Sequence, residues 1–151
     1  MKSPRSLEQR KSDALGKLTA RHADLWVASS SSTGTPHLVP LSFAWDGEHV
    51  VIASEATAVT TQNIVRSRRA RLGLGGTRDV VMIDVVLARD VAVADAAAET
   101  ADGYAEQAEW DPRFENGGYV YMLLRPDRMQ VWREANELGG RTVMRDGAWL
   151  V

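Results

Sequence analysis

The dipeptide Asp46-Gly47 is the feature that most restricts how this chain can fold. It lies between two apolar segments, HLVPLSFAW at residues 37–45 and EHVVIASE at residues 48–55. An Asp-Gly pair between strand-like segments is a strong signal for a two-residue hairpin, because both residues tolerate the positive φ that such a turn needs. A second pair, Asp146-Gly147, predicts another hairpin near the C-terminus. Strands joined by turns this short run antiparallel.

The rest of the chain alternates between strand-like and helical patterns. Further strands are predicted at residues 25–32, 70–76, 79–94, 119–126 and 127–134. Helices are predicted at residues 6–21, with Ser6 as N-cap, at 57–68 and at 96–110. We therefore expect a mainly β, α+β fold with about six or seven antiparallel strands and three flanking helices. A short curved barrel is the arrangement that best protects the strand edges.

Length and composition exclude several classes of protein. The 151 residues predict one domain, with an N-terminal helical segment in residues 1–22. The absence of cysteine excludes disulfides, thiolate catalysis and cysteine-based metal centres. No apolar run approaches the roughly 18 residues of a membrane-spanning helix, and the N-terminus lacks the apolar core of a signal peptide. We expect a cytoplasmic protein that binds no membrane.

Hydrolytic and metal-dependent chemistry have no support in the sequence. The three histidines, His22, His37 and His49, are scattered without metal-ligand spacing. No serine or threonine lies in a nucleophile motif. We therefore predict no metal site and assign no catalytic residue.

The segment TTQNIVRSRRARLGLGG, residues 60–76, has the most unusual composition. Its glycines do not match a dinucleotide-binding fingerprint, because β-branched residues follow where a helix is required. Four of its arginines lie within residues 66–71. They could bind nucleic acid or form a solvated helix end. Nucleic-acid binding is disfavoured, because no aromatic residue lies between Trp45 and Tyr104 to stack with the bases.

The start of the predicted helix at residues 57–68 is rich in neutral polar side chains. A helix N-terminus attracts anions through its free amides. Hydroxyls and amides on the first turns could complete a phosphate cradle, or could simply cap and fill the helix. The residues concerned are Thr57, Thr60, Thr61, Gln62 and Asn63.

Four segments together resemble the pyridoxamine 5′-phosphate oxidase-like family, whose members are split β-barrel flavin-binding proteins. They are GTPHLVPLSFAWDGEHVVIASE, TTQNIVRSRRARLGLG, LRPDRMQVWRE and GRTVMRDGAWL. Their order is the specific part of the resemblance, which runs from about residue 25 to the C-terminus. The sequence is most similar to the actinobacterial branch that contains reductases dependent on the deazaflavin coenzyme F420.

The resemblance implies a homodimer with two cofactor sites at the subunit interface. In this family the strand equivalent to Val39, Pro40 and Leu41 passes its backbone along the flavin ring edge. The segment that ends in Gln62 and Asn63 holds the phosphate. Positions matching Trp132 and Arg141 approach the cofactor from one of the two chains.

One departure from the family pattern concerns the phosphate. Relatives commonly carry a lysine or arginine where this chain has Thr60. Arg66 or a base of the partner chain would then replace it. The arginines Arg66, Arg68 and Arg69 could also receive the polyglutamate tail of the deazaflavin.

The expected function is an oxidoreductase that uses F420 to transfer a hydride to a small or mid-sized organic substrate. FMN is the alternative cofactor. A flavin or deazaflavin carrier without turnover is a second hypothesis. Nucleic-acid binding is a third, and pyridoxine phosphate oxidation is a fourth, for which the sequence shows no basic substrate-binding residues.

Overall fold

The computed structural model describes residues 2–151, which form three α-helices and nine β-strands. The helices are α1 (Leu7–Leu18), α2 (Val59–Ser67) and α3 (Ala98–Ala108). The strands are β1 (Asp24–Ser30), β2 (Pro36–Ser42), β3 (Ala44–Trp45), β4 (Val50–Glu55), β5 (Arg69–Leu74), β6 (Val80–Ala92), β7 (Tyr119–Trp132), β8 (Thr142–Arg145) and β9 (Ala148–Trp149). In these residues no helix is long and apolar enough to cross a membrane.

All of the strands belong to one antiparallel sheet. Its main path runs β2-β1-β5-β6-β7-β4-β3, and β8 pairs with both β7 and β9. The predicted mainly β, α+β fold with three helices is confirmed. Hairpins are present at both Asp-Gly pairs. Asp146-Gly147 alone join β8 to β9, and both residues have positive φ as expected. Between β3 and β4 the connection is longer, residues 46–49, and of the Asp46-Gly47 pair only Gly47 has positive φ.

The predicted strand at residues 37–45 breaks at Phe43, which separates β2 from β3. The Phe43 side chain is buried in the core, on the same side of the sheet as Val39 and Leu41. Strand β2 pairs with β1, whereas β3 pairs with β4 at the other end of the path. The two end strands, β2 and β3, are consecutive in the chain but are not hydrogen-bonded to each other. The sheet is therefore open.

The segments predicted as two strands at 119–126 and 127–134 form the single strand β7. Pro126 lies inside it, although proline cannot donate a hydrogen bond to the ladder. The register with β6 shifts between Asp84 and Val85, and Val85 is the partner of Pro126. This irregularity accommodates the proline without ending the strand.

The core consists of two clusters on opposite sides of the sheet. The larger one fills the concave interior with aliphatic side chains and Phe43. The smaller one lies under α3, which buries Ala101, Tyr104 and Ala108. The spacing of these three residues follows the 3.6-residue period of an amphipathic helix, so the sequence pattern of residues 96–110 identifies the buried side.

A buried ion network attaches α1 to the end of the sheet. Ser6 caps the helix as predicted, accepting a hydrogen bond from the Gln9 amide at 3.1 Å. Arg10 is buried on the helix and lies 3.0 Å from Glu137. Arg5 bonds the same carboxylate at 3.1 Å. The charges are paired, which offsets the desolvation that burial imposes on them.

Gly75 was expected on a strand, but it lies in the turn after β5. Its φ is +79°, and a Cβ there would collide with the carbonyl oxygen of Asp79. We predict that Gly75→Ala lowers the free energy of unfolding by about 2 kcal/mol or more, from strain and the collision together. The matched control is Gly76→Ala, where a Cβ would have no neighbour within 4 Å. Urea denaturation measures both; equal stability of the two variants would contradict this account of the turn.

Candidate functional site

The outer face of β1, β2 and β5 carries exposed apolar residues instead of polar ones. Trp26 pairs with Pro40 on β2 and with Gly73 on β5, and Gly73 pairs with Met82 on β6. Directly paired residues point to the same face of a sheet. Trp26 is 52% exposed and Leu38 is 61% exposed. Apolar exposure of this kind marks a binding surface for a ligand or another protein.

A groove of about 480 Å³ lies on this face, and we call it the apolar groove. Its walls are formed mainly by Trp26, Leu38, Met82 and Trp132, with the glycine-rich end of β5 between them. A glycine within a strand often allows a ligand or another segment to approach the backbone closely. A Cβ at Gly73 would make only ordinary contacts, 3.5 Å from the Met82 sulfur. The protein itself therefore does not require glycine at this position.

A second cavity, of about 660 Å³, is contiguous with the apolar groove through Ala28 and Arg71. We call it the arginine cavity. Its basic side chains are Arg69, Arg71, Arg128 and Arg145, and its acidic ones are Asp84, Asp127 and Asp146.

Asp84 organises two of the arginines in this cavity. It accepts hydrogen bonds from Arg71 at 2.6 Å and from Arg128 at 2.9 Å. Partial burial opposes ionisation of Asp84, but the bonds and charges of these arginines outweigh it and hold the pKa of the carboxyl below its usual range. Within residues 2–151, Arg69 and Arg145 make no ion pair. Two guanidinium groups thus remain for an anionic ligand.

The helix predicted at residues 57–68 is shorter than expected. Its N-cap is Ala58, so Thr57 precedes the helix, and no side chain caps its amides. It ends at Ser67, because Arg68 adopts a left-handed conformation with φ 63°. Arg69 belongs to β5, so Arg66 and Arg69 do not lie on one helix.

The polar side chains of α2 attach the helix to the sheet. Thr61 donates its hydroxyl to the Glu55 carbonyl at 2.7 Å, and Gln62 donates to the Ala56 carbonyl at 2.8 Å. Asn63 donates to the Ser29 hydroxyl at 3.1 Å, and Thr60, next to Thr61 in the sequence, is buried. The donor groups that remain free at this end of the helix are therefore the backbone amides of its first turn.

The remaining residues suggested by the resemblance lie in different places. Pro40 faces outward opposite Trp26, while Val39 and Leu41 pack against the interior core. Trp132 lines the apolar groove, and the Arg141 guanidinium lies 5.6 Å from the centre of its ring.

Of the three arginines proposed for a polyglutamate tail, only Arg69 lines the arginine cavity. Arg66 donates to the carbonyl of Ser30, on the wall of that cavity. Arg68 donates to the Leu87 carbonyl at 2.8 Å.

A third cavity, of about 430 Å³, lies where β2 and β4 separate, at the N-terminal end of α2. Pro40, Leu41 and Ala58 contribute to its wall. Its charged side chains are the carboxylates Asp24 and Glu55, and its aromatic ones are Tyr104, Trp110 and Tyr119. We call it the acidic aromatic cavity. Two carboxylates beside the predicted phosphate cradle disfavour an anion there.

Several residues in these cavities were not recognised in the sequence. Arg71 lies two positions after Arg69, so both point to one face of β5. The predicted strand at residues 70–76 began one residue too late to show this. Arg128 and Arg145 join them only through strand pairing. Nothing in the sequence around Asp24 or Glu55 indicates that both residues line the same cavity.

Comparisons with known proteins agree with this architecture. No family model matches the chain, and no curated protein matches it in sequence. Solved structures do match. An F420 reductase has 17% identity over 74% of this chain and 92% of its own, with a TM-score of 0.61. A protein related to general stress protein 26, of the pyridoxinephosphate oxidase family, from Clostridium acetobutylicum has 8% identity over 85% of this chain and 88% of its own, with a TM-score of 0.59.

A heme binding protein from Mycobacterium smegmatis shares the fold as well. It has 16% identity over 97% of this chain and 60% of its own, with a TM-score of 0.61. The chain has the pyridoxamine 5′-phosphate oxidase-like fold, as its resemblance to that family predicted. At these identities the likeness extends to the fold alone.

We predict that Asp84 stabilises the protein in a pH-dependent way. Its pKa is lowered in the folded state, so the stabilisation is present above the ordinary aspartate pKa of about 3.9 and is lost as pH falls. Asp84→Asn should reduce the free energy of unfolding by about 0.5–1 kcal/mol at pH 7, since its partners are partly exposed. The difference from the unmodified protein should shrink progressively as pH falls below about 3.9 and through the lower pKa of the folded state. The control is Asp90→Asn, an exposed site on the same strand. A difference in the free energy of unfolding that stays the same at every acidic pH in urea denaturation would contradict the charge-based origin.

Proposed function

We propose that this protein binds a flavin-type cofactor, with the deazaflavin coenzyme F420 as the first candidate and FMN as the alternative. The observation that carries the proposal is the contiguity of the apolar groove and the arginine cavity. A flavin-type cofactor combines a flat aromatic ring with an anionic chain. The apolar groove is complementary to the ring, and the neighbouring arginine cavity is complementary to the anionic chain.

The apolar groove fits the ring. Trp26 and Trp132 supply aromatic walls, and Gly73 leaves the floor without a side chain. Its volume of about 480 Å³ is within the usual range for ligand sites. Trp132 is the residue that the family resemblance assigns to the cofactor, and Pro40 of the ring-edge strand lies on the same face.

The arginine cavity fits the anionic chain. Arg69 and Arg145 can form charge-assisted hydrogen bonds with carboxylate or phosphate oxygens without losing an ion pair. A polyglutamate tail carries several carboxylates and can use the length of this cavity. The single phosphate of FMN would lie there as well, because the α2 end is flanked by Asp24 and Glu55. We therefore favour the deazaflavin.

The reaction that we propose is hydride transfer to a small or mid-sized organic substrate. When bound, the cofactor supplies the hydride chemistry at its ring. The protein orients the ring against Trp26 and Trp132 and excludes water from one side of it. No side chain is assigned as proton donor.

A homodimer is part of this proposal. The apolar surface around Trp26 and Leu38 is exposed in one chain, and a second copy would cover it. Dimerisation would also enclose the open side of the apolar groove. The family resemblance supports the same assembly, with two cofactor sites between subunits.

A non-catalytic cofactor carrier is the second candidate. The observation in its favour is the lining of the apolar groove, in which Arg71 is the one ionisable side chain within residues 2–151. A groove without an acid or base binds a ring but offers little help with proton transfer. Reduction of the bound cofactor without reduction of any acceptor would favour the carrier.

The decisive test is a paired titration of the protein with F420 and with FMN, followed by quenching of tryptophan fluorescence. We expect F420 to bind more tightly. Arg69→Gln with Arg145→Gln should weaken F420 binding by about tenfold or more, since charge-assisted hydrogen bonds contribute about 1.5–3 kcal/mol each when they form fully. The matched control is Arg21→Gln with Arg78→Gln, two exposed arginines outside both cavities.

Several outcomes of this titration would change the conclusion. Preferential binding of FMN would replace the deazaflavin with the alternative cofactor. Equal losses in the cavity and control variants would remove the arginine cavity from the site. Absence of binding by either cofactor at micromolar concentration would contradict the proposed function.

A further inference from the structure

The acidic aromatic cavity has a composition that the proposed cofactor does not explain. Asp24 and Glu55 are its charged side chains, and no lysine, arginine or histidine from residues 2–151 lines it. Neither carboxylate makes an ion pair with a described residue, whereas Asp79 and Asp84 are each paired with a lysine or arginine. The cavity therefore has an uncompensated negative charge.

The aromatic part of the wall is preorganised. Trp110 packs edge-on against Tyr119, with ring centres 5.5 Å apart, and against Tyr104 at 6.2 Å. The Trp110 indole also donates a hydrogen bond to Glu115 at 3.0 Å, which fixes its orientation. Aromatic faces attract cations, most strongly where the site is partly desolvated.

A buried polar atom in the same wall lacks a partner. Tyr104 is 1% exposed, and its hydroxyl makes no hydrogen bond with a described residue, although it approaches the backbone of Ala53. Burial, and to a lesser degree the neighbouring Tyr121 and Asp24, raise the pKa of this phenol, so it stays protonated. A buried hydroxyl without a partner costs stability, and it can accept a hydrogen bond from a ligand.

One class of ligand satisfies all three features. We propose that the acidic aromatic cavity binds the protonated amine of a small organic molecule. The ammonium group pairs with the carboxylates of Asp24 and Glu55, and the Tyr104 oxygen accepts one of its N–H hydrogens. The carbon skeleton lies against Trp110 and Tyr119. A cavity of about 430 Å³ admits a molecule of this size.

The neighbouring strands help to hold the carboxylates. Ser42 donates its hydroxyl to Asp24 at 3.2 Å across the β1–β2 ladder. Glu55 is the last residue of β4. Strand β3 pairs only with the start of β4, so the edge of β4 near Glu55 faces the gap between β4 and β2. The next outward pair along β1 and β2 is Trp26 with Pro40, so a bound amine would lie beside the apolar groove. The inference does not depend on a cofactor being bound there.

Benzylammonium is a suitable probe, with benzyl alcohol as its neutral counterpart of similar shape. Binding is followed without cofactor by the indole N–H resonance of Trp110, assigned with Trp110→Phe. We expect saturable binding of benzylammonium at least about fivefold tighter than that of benzyl alcohol. Asp24→Asn and Glu55→Gln should each weaken it about two- to fivefold, the range for partly exposed ion pairs. Glu48→Gln, an exposed site outside the cavity, should change nothing.

Tyr104→Phe tests the hydroxyl separately. It keeps the ring and removes an atom that has no intramolecular partner, so the melting temperature should not fall. Benzylammonium binding should weaken about two- to tenfold. A fall in melting temperature with unchanged binding would show that the hydroxyl serves the fold.

Three results would overturn the proposal. One is equal affinity for the amine and the alcohol. Another is unchanged amine binding in the double variant Asp24→Asn with Glu55→Gln while that variant remains folded. The third is a stronger response of the Trp110 resonance to inorganic phosphate than to benzylammonium. That result would show that the N-terminal end of α2 binds anions. Because no cofactor is present, these results stand apart from those of the F420 and FMN titration.

Discussion

The break in the strand at Phe43 is the constraint on which the arrangement of the sites depends. There the chain leaves β1 and continues beside β4, at the other end of the sheet. The two ladders are not continuous across the break, so β2 and β4 separate. Their unpaired edges leave room for the acidic aromatic cavity, and α2 closes one end of it through Ala58. A change of strand partner within one segment thus makes room for a polar site.

Charge is distributed unevenly along the outer face of β1. Asp24 begins the strand beside the acidic aromatic cavity, Trp26 lies in the apolar groove, and Ser30 ends the strand at the arginine cavity. A ligand with one anionic end has a single favourable orientation on this face. The same distribution separates a place for an anion from a place for a cation, with an apolar surface between them.

Much of the fold was predictable because its signals are local. Asp46-Gly47 and Asp146-Gly147 specify tight turns by their own backbone preferences. The periodicity of α3 identified its buried side, and Ser6 capped α1 as predicted. The errors came from long-range packing. At Phe43 the chain changes its strand partner within an unbroken strand pattern, and Pro126 is accommodated in β7 by an irregularity in the partner strand.

The sequence by itself determined the class of fold, the order of the strands along the chain and the basic character of residues 66–71. The tertiary structure decided which charges meet: Arg69 and Arg71 join Arg128 and Arg145, while Arg66 and Arg68 bond to backbone carbonyls. It also brought Asp24 and Glu55 to one cavity. The physical reason is that turns and helix caps depend on neighbouring residues, whereas the composition of a site depends on strand pairing between residues distant in the chain.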